Sequence, residues 1–196
     1  MPAPKSALVA GSRVYLRRPQ LRDAKMFLEA VAASRRLHGR WVQAPTTTAR
    51  FTAYVKRFGG AKSRKVKTAT HVGLLACRRE DDSLVGVFNF SDIVHGGFQC
   101  AYLGYYALAP NARQGYMSEG LGLAFEVAFR TLRLHRVEVN IQPANTRSAA
   151  LVRRAGLTRE GFSRRYMKLA GRWRDHERWA LLAEDWKAQR RRARRR

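Results

Sequence analysis

The stretch from Tyr102 to Gly120 holds the residues best suited by type and spacing to grip a phosphorylated ligand. A tyrosine-rich run, Cys100 to Leu108, meets a break at Pro110-Asn111, and a loop around Gly115 then opens a helical pattern. Backbone N–H groups at such a helix start lack intrahelical acceptors and lie at the positive end of the helix dipole. That geometry binds a pyrophosphate, and a glycine there lets the backbone approach it closely. A second piece is Pro143-Ala144-Asn145-Thr146-Arg147-Ser148 followed by Leu151 to Leu157, with Asn145 placed to cap a helix that Gly156 stops. Each piece alone is ordinary turn chemistry. Their order (strand, glycine-led helix, strand, Asn-x-x-Ser helix, Gly-Leu) is far more specific than either.

The elements that must position these residues follow from periodicity. Val14 and Leu16 alternate as a first strand ended by Pro19, and Asp23 leads into a helix bearing Met26, Phe27, Ala30 and Val31. A loop with His38, Trp41 and Pro45 precedes a second helical pattern, Phe51 to Phe58, closed by Gly59-Gly60. The basic segment Lys62 to Lys67 is expected to be exposed. His71 to Cys77 and Leu84 to Phe90 form a hairpin across the turn Glu80 to Ser83, and His95-Gly96-Gly97 turns the chain into Cys100. Ser118 to Arg133 has helical spacing. Val137, Val139 and Ile141 alternate, and two last strands surround Ala170-Gly171. The order βααβββαβαββ gives an α/β (α+β) domain around one mixed sheet.

Composition bounds the rest. Hydrophobic residues make up 45% of the 196, enough for one domain with its own core. No apolar run approaches the roughly 20 residues of a membrane span, so a cytoplasmic location without membrane contact is expected. Cys77 and Cys100 lack metal-ligand spacing with histidines and read as reduced strand residues, with no metal site. The formal net charge is +25; Lys187 to Arg196 contributes seven of those charges, and the remainder is still +18. Such a field favours polyanions: RNA, a ribosomal surface or a phosphorylated cosubstrate. Lys187 to Arg196 has no apolar periodicity and is expected to be a disordered tail.

From about Ser12 to Trp186 this arrangement resembles the GNAT acetyltransferase core, a mostly antiparallel mixed sheet flanked by helices. Residues 1–11 would then be an N-terminal extension, 12–186 the acetyltransferase domain and 187–196 the tail. Three segments are similar to the ribosomal-protein alanine N-terminal acetyltransferases: Gly86 to Ser91, Cys100 to Tyr105, and Glu160-Gly161 followed by Gly171 to His176. The resemblance implies acetyl-CoA as cosubstrate and direct attack by an amine in a ternary complex. Its pantetheine would pair with the backbone of Tyr106, Ala107 and Leu108. Its pyrophosphate would meet N–H groups of Arg113, Gln114, Gly115, Tyr116, Met117 and Ser118. Asn145 and Ser148 would contact the thioester region, and Arg153 the nucleotide phosphate. Two positions depart from the family pattern: Ala112 stands where the loop opens with Gln or Arg, and Val152 where many members carry a general-acid tyrosine. Ser148 is then the nearest group to protonate the leaving thiolate, with Tyr166 a weaker candidate. The family places the base at Glu160, whose alternative reading is a solvated residue among arginines. Glu119 more simply favours its helix N-terminus. Trp41, Tyr105 and Asp175 would line the acceptor side, and His176 either orients the acceptor or closes the hairpin.

A protein α-amine, with a pKa of about 7.7–8.0, is partly neutral near pH 7.4, whereas lysine, at about 10.4, is roughly 0.1% neutral. A protein N-terminus, as in the ribosomal-protein enzymes, is therefore the expected acceptor. A small amine, aminoacyl-tRNA, or a non-catalytic RNA-binding role on the same fold remain as alternatives.

Overall fold

The computed structural model describes residues 4–59, 69–109 and 111–193. The Lys62 to Lys67 segment, Gly60, Pro110 and the last three arginines lie outside the described residues.

Eight strands form one sheet in the order β1-β2-β3-β4-β5-β6-β8-β7. They are β1 (Val9–Ala10), β2 (Val14–Arg17), β3 (Val72–Arg78), β4 (Leu84–Val94), β5 (Cys100–Ala107), β6 (Arg136–Ile141), β7 (Thr158–Leu169) and β8 (Arg172–Leu182). All neighbours pair antiparallel except β5 and β6. Among the described residues six α-helices accompany them: α1 (Ala24–Ala33), α2 (Arg35–His38), α3 (Thr48–Phe58), α4 (Tyr116–Glu126), α5 (Thr146–Arg154) and α6 (Ala183–Ala193). The mixed, mostly antiparallel sheet flanked by helices is the fold the sequence pattern leads one to expect.

Strand alternation sorts the core into two layers. Leu74, Ala76, Phe88, Leu103, Val137 and Val139 pack on one face beneath α4 and Val152 of α5. Leu75, Cys77, Val87 and Leu108 pack on the other with Phe27 of α1 and Phe51 of α3. Burying each such Leu or Phe contributes about 1.5–3 kcal/mol. Gly86 lets α4 seat directly on β4, since a Cβ there would stand 2.3 Å from the Met117 sulfur.

Two expectations at the ends are corrected. Part of the N-terminal extension is a sheet strand, with Val9 opposite Leu16 and Ala10 opposite Tyr15. The segment from Lys187, expected to be a disordered tail, is helical through Ala193. Trp186 anchors that helix, 7% exposed and 5.3 Å from the Phe129 ring. Gln189 donates to the Gly156 carbonyl at 3.2 Å, and Arg190 reaches Glu126 at 3.0 Å. One aromatic and two polar anchors hold α6 without an apolar stripe. The helix of Ser118 to Arg133 starts earlier, at Tyr116, and finishes in a π turn over Val127–Thr131.

Candidate active site

The site begins where two strands part. β5 and β6 pair only at Cys100–Arg136, Ala101–Val137 and Tyr102–Glu138, and beyond Tyr102 they diverge. Leu108 N–H donates to Val85 O at 2.9 Å, so alternation turns the backbone of Tyr106 and Leu108 toward β4 and that of Tyr105 and Ala107 toward the opening. Of the three residues expected to offer backbone pairing, only Ala107 therefore faces the cleft. Leu108 is fully buried in the core. The Ala107 carbonyl accepts from His38 Nε2 at 2.8 Å. A carbonyl has two lone pairs and keeps one for another donor. Burial lowers the His38 pKa below its ordinary value, so the ring is neutral near pH 7.

A cavity of about 480 Å³ opens from this cleft on the side of α4 and α5. Tyr106 and Ala107 line it from β5; Arg113, Gly115, Tyr116, Met117 and Ser118 line it from the loop and α4; Asn145 and Ser148 line it from α5. Gly115 caps α4 with φ +81°, and Arg113 also has a positive φ, +65°. Among the described residues the Tyr116 and Met117 N–H groups have no acceptor, which leaves the helix start open to an anion. Arg13 fixes the loop from outside, donating to the Gln114 carbonyl at 3.0 Å and pairing with Glu119 at 3.1 Å. Gln114 itself does not line the cavity. Glu119 caps the β2 end through the Arg13 and Val14 amides, which hold its carboxyl below the usual range against burial.

Arg153, expected at the nucleotide phosphate, turns instead over the Trp179 ring at 5.8 Å. Arg147 and Arg154, on the same helix face as Ser148 and Leu151, line the cavity with Arg113 and supply its cations. Asn145 caps α5, its Oδ1 accepting the Ser148 N–H at 3.3 Å.

A second cavity, of about 290 Å³, lies across the strand opening. Both cavities share Trp41, Val42, Tyr105, Tyr106, Asn145 and Ser148. At their junction the Tyr105 hydroxyl and Ser148 Oγ are 2.7 Å apart. Burial pushes the Tyr105 pKa up to about 12, so the phenol stays protonated and can only donate or share its proton. Alternation places Tyr102, Asn140 and His176 on the sheet face opposite α5, and all three line the second cavity. Tyr106 Oη and Asn140 Oδ1 are buried without a hydrogen-bond partner among the described residues. A buried polar atom left so costs about 1–3 kcal/mol unless something else satisfies it.

His176 is 2% exposed, and its Nδ1 contacts the Arg174 carbonyl at 3.0 Å. A carbonyl only accepts, so Nδ1 carries the proton and Nε2 keeps its lone pair. Burial is the main cause of its lowered pKa, which keeps the ring neutral near pH 7.

Two acidic site expectations do not meet here. Glu160 lies on β7 outside both cavities and is gripped by the Arg136 guanidinium, with Nη1–Oε1 at 2.9 Å. That bidentate pair holds its carboxyl below the usual range. A base so placed reaches no acceptor in either cavity. Asp175 is exposed and accepts the Arg165 N–H at 2.7 Å, bracing the β7 bulge where Arg165 has φ +47°. Tyr166 contacts the Tyr102 hydroxyl at 3.5 Å rather than Ser148. Neither cavity is lined by a carboxylate.

Residues 13–158 match the acetyltransferase (GNAT) domain family. The chain belongs to that family. Its GNAT relatives include the ribosomal protein uS5-alanine N-acetyltransferase of Escherichia coli (strain K12), 38% identical over 107 residues, 55% of each chain. The chain thus spans about half the length of the curated relatives it matches. Among solved GNAT structures, Mycobacterium smegmatis RimJ in complex with CoA-disulfide aligns with a TM-score of 0.77 at 23% identity, covering 88% of this chain and 83% of that one. A Vibrio cholerae spermidine N-acetyltransferase in complex with CoA and spermine aligns with a TM-score of 0.73 at 15% identity, covering 90% and 99%. Both likenesses concern the fold. Among the described residues no helix is long and apolar enough to cross a membrane, and no three His, Cys, Asp or Glu side chains converge as a metal site.

Proposed function

We propose that this chain is an acetyl-CoA-dependent N-acetyltransferase whose acceptor is a protein N-terminal α-amine. The observation that carries the reading is the meeting of two cavities, one cationic and helix-capped, one lined by neutral polar groups, at the Tyr105–Ser148 contact.

The residues present fit acetyl-CoA. The open Tyr116 and Met117 N–H groups, with Arg113, Arg147 and Arg154, suit phosphates. The cleft-facing backbone of Tyr105 and Ala107 suits amide groups. When bound, acetyl-CoA supplies a thioester carbonyl as electrophile. Ser148, backed by the protonated Tyr105, delivers a proton to the departing sulfur. His176 Nε2 takes the proton from the acceptor nitrogen as that atom becomes positively charged, which a base of modest pKa can do. Asn140 Oδ1 and the Tyr106 hydroxyl orient the amine. Trp41, at the junction of the cavities, shields the reaction from water.

The acceptor choice is supported by the E. coli relative named for uS5 and by charge. A polyamine is a polycation, and no carboxylate lines the acceptor cavity to receive it. A partly neutral α-amine suits such a site better than a lysine. RNA or ribosome association belongs to the same reading. The +25 charge supports it, as do Arg191 and Arg192, exposed on α6 with no ion pair among the described residues.

Thermal denaturation with acetyl-CoA tests the binding half: ligand at about 100 times Kd should stabilise the fold by about 2.7 kcal/mol. No shift in Tm at millimolar acetyl-CoA would remove the enzyme reading.

A further inference from the structure

A third cavity, of about 870 Å³, runs between α1, α3 and β4 and is the largest of the three. It opens onto the acceptor cavity through Val42, Gln43, Asn89 and Tyr106, which line both. Of its lining, the proposed reaction uses only Tyr106.

Its charge has one sign. Arg35, Arg50 and Arg57 line it, and no carboxylate does. Arg57 is engaged, its Nη2 2.8 Å from His71 Nε2. The guanidinium groups of Arg35 and Arg50 are in exposed positions and have no ion pair among the described residues. Elsewhere in the chain Arg13, Arg17, Arg78, Arg130, Arg136, Arg159 and Arg190 have carboxylate partners, while Arg191 and Arg192, like Arg35 and Arg50, have none among the described residues. Two exposed arginines without an ion pair, beside a groove that leads to the acceptor cavity and holds no carboxylate, suit an acidic ligand. A groove bounded by two helices and a strand admits an extended peptide.

We propose that this groove holds the acceptor chain beyond its first residues and selects acidic sequence there. The inference rests on the acetyltransferase reading and deepens it. The substrate class is a protein whose N-terminal segment carries aspartate or glutamate shortly after the acetylated residue. A basic N-terminal segment is repelled both by the groove and by the +25 field.

The test uses twin peptides identical except that one carries glutamates and the other lysines after the second residue. The native protein should acetylate the glutamate twin with a kcat/KM about tenfold higher at low salt, an exposed Arg–carboxylate pair being worth about threefold. Arg35→Ala with Arg50→Ala should bring that ratio close to one. Arg191→Ala with Arg192→Ala removes the same charge from α6 and should leave the ratio as in the native chain. The rise in Tm on adding CoA reports that both variants fold. Equal kcat/KM for the twins in the native protein overturns the proposal while the activity stands. A ratio that falls equally in both variants overturns it too, because the preference then comes from the overall field. Binding of a labelled RNA oligonucleotide lost only on Arg35/Arg50 replacement, with the peptide ratio unchanged, reassigns the groove to RNA. No turnover of either twin removes this proposal together with the acetyltransferase reading.

Discussion

His176 and Glu160 differ in a property a base needs, a lone pair left without a partner beside the second cavity. The carboxylate of Glu160 is occupied by Arg136, whereas the proton on His176 Nδ1 is held by Arg174 O and leaves Nε2 open. His176→Gln should lower kcat/KM by about 10²-fold or more with little change in the Tm shift produced by CoA. Glu160→Gln should keep near-native turnover and cost at most about 1 kcal/mol, as exposed pairs do. Steady-state kinetics on both variants would reverse the assignment if Glu160→Gln were the dead one. The same histidines make stability pH-dependent. His38 and His176 have pKa values lowered by burial, so unfolded chains bind their protons first as pH falls. Their contribution is complete above about pH 6.5 and is lost as pH falls through the folded values. Urea titrations should show falling stability over that window, and a flat profile would contradict the neutral burial of both rings. The half of the site proposed to hold phosphate was legible in the sequence because Gly115 and Asn145 are turn chemistry, written in adjacent residues. The acceptor half was legible only in part: the sequence points to Trp41, Tyr105 and His176 but not to Asn89 or Asn140. Asn89, Asn140, Tyr106 and His176 come from four different strands, and only the sheet brings them together.

At the scale of elements, the entry to α1 depends on a buried ion pair. Arg17 meets Asp23 at 2.7 and 2.9 Å, and Asp23 also accepts the Gln20 N–H at 2.8 Å. Asp23→Asn leaves a buried guanidinium without its counter-ion and should destabilise the fold by about 3–5 kcal/mol. Urea denaturation measures it, and a loss below about 1 kcal/mol would mean that Arg17 finds water or another partner. Sequence periodicity located β2 to β6, β8, α1 and α3 to α5 because each buries an apolar face, and the Ala170-Gly171 turn located β7, which buries none. It missed β1, whose two residues carry no period, and α6, whose docking rests on Trp186, Gln189 and Arg190. It placed Arg153 at the ligand because helical position, not proximity in sequence, decides which side of α5 an arginine occupies. Arg147 and Arg154 share the cavity face, and Arg153 does not.

Across the whole molecule, basic charge serves two surfaces. Arg35 and Arg50 border the groove that leads to the acceptor cavity, and α6 presents Arg191 and Arg192 to solvent. Replacing Arg191 and Arg192 with alanine should flatten the slope of log K against log salt for single-stranded RNA by about 1.4. Filter binding across a salt series reads that slope, and an unchanged slope would leave α6 out of any RNA contact. The proposed reaction turns on the junction at Tyr105 and Ser148, where a cationic cavity meets a neutral, carboxylate-free one. Its most direct measurement is fragment mass spectrometry of a peptide bearing a free α-amine and a lysine, incubated with the protein and acetyl-CoA. The structure predicts one acetyl group on the α-amine, and lost in His176→Gln. Acetylation of the lysine, or a peptide returned unmodified, would contradict it.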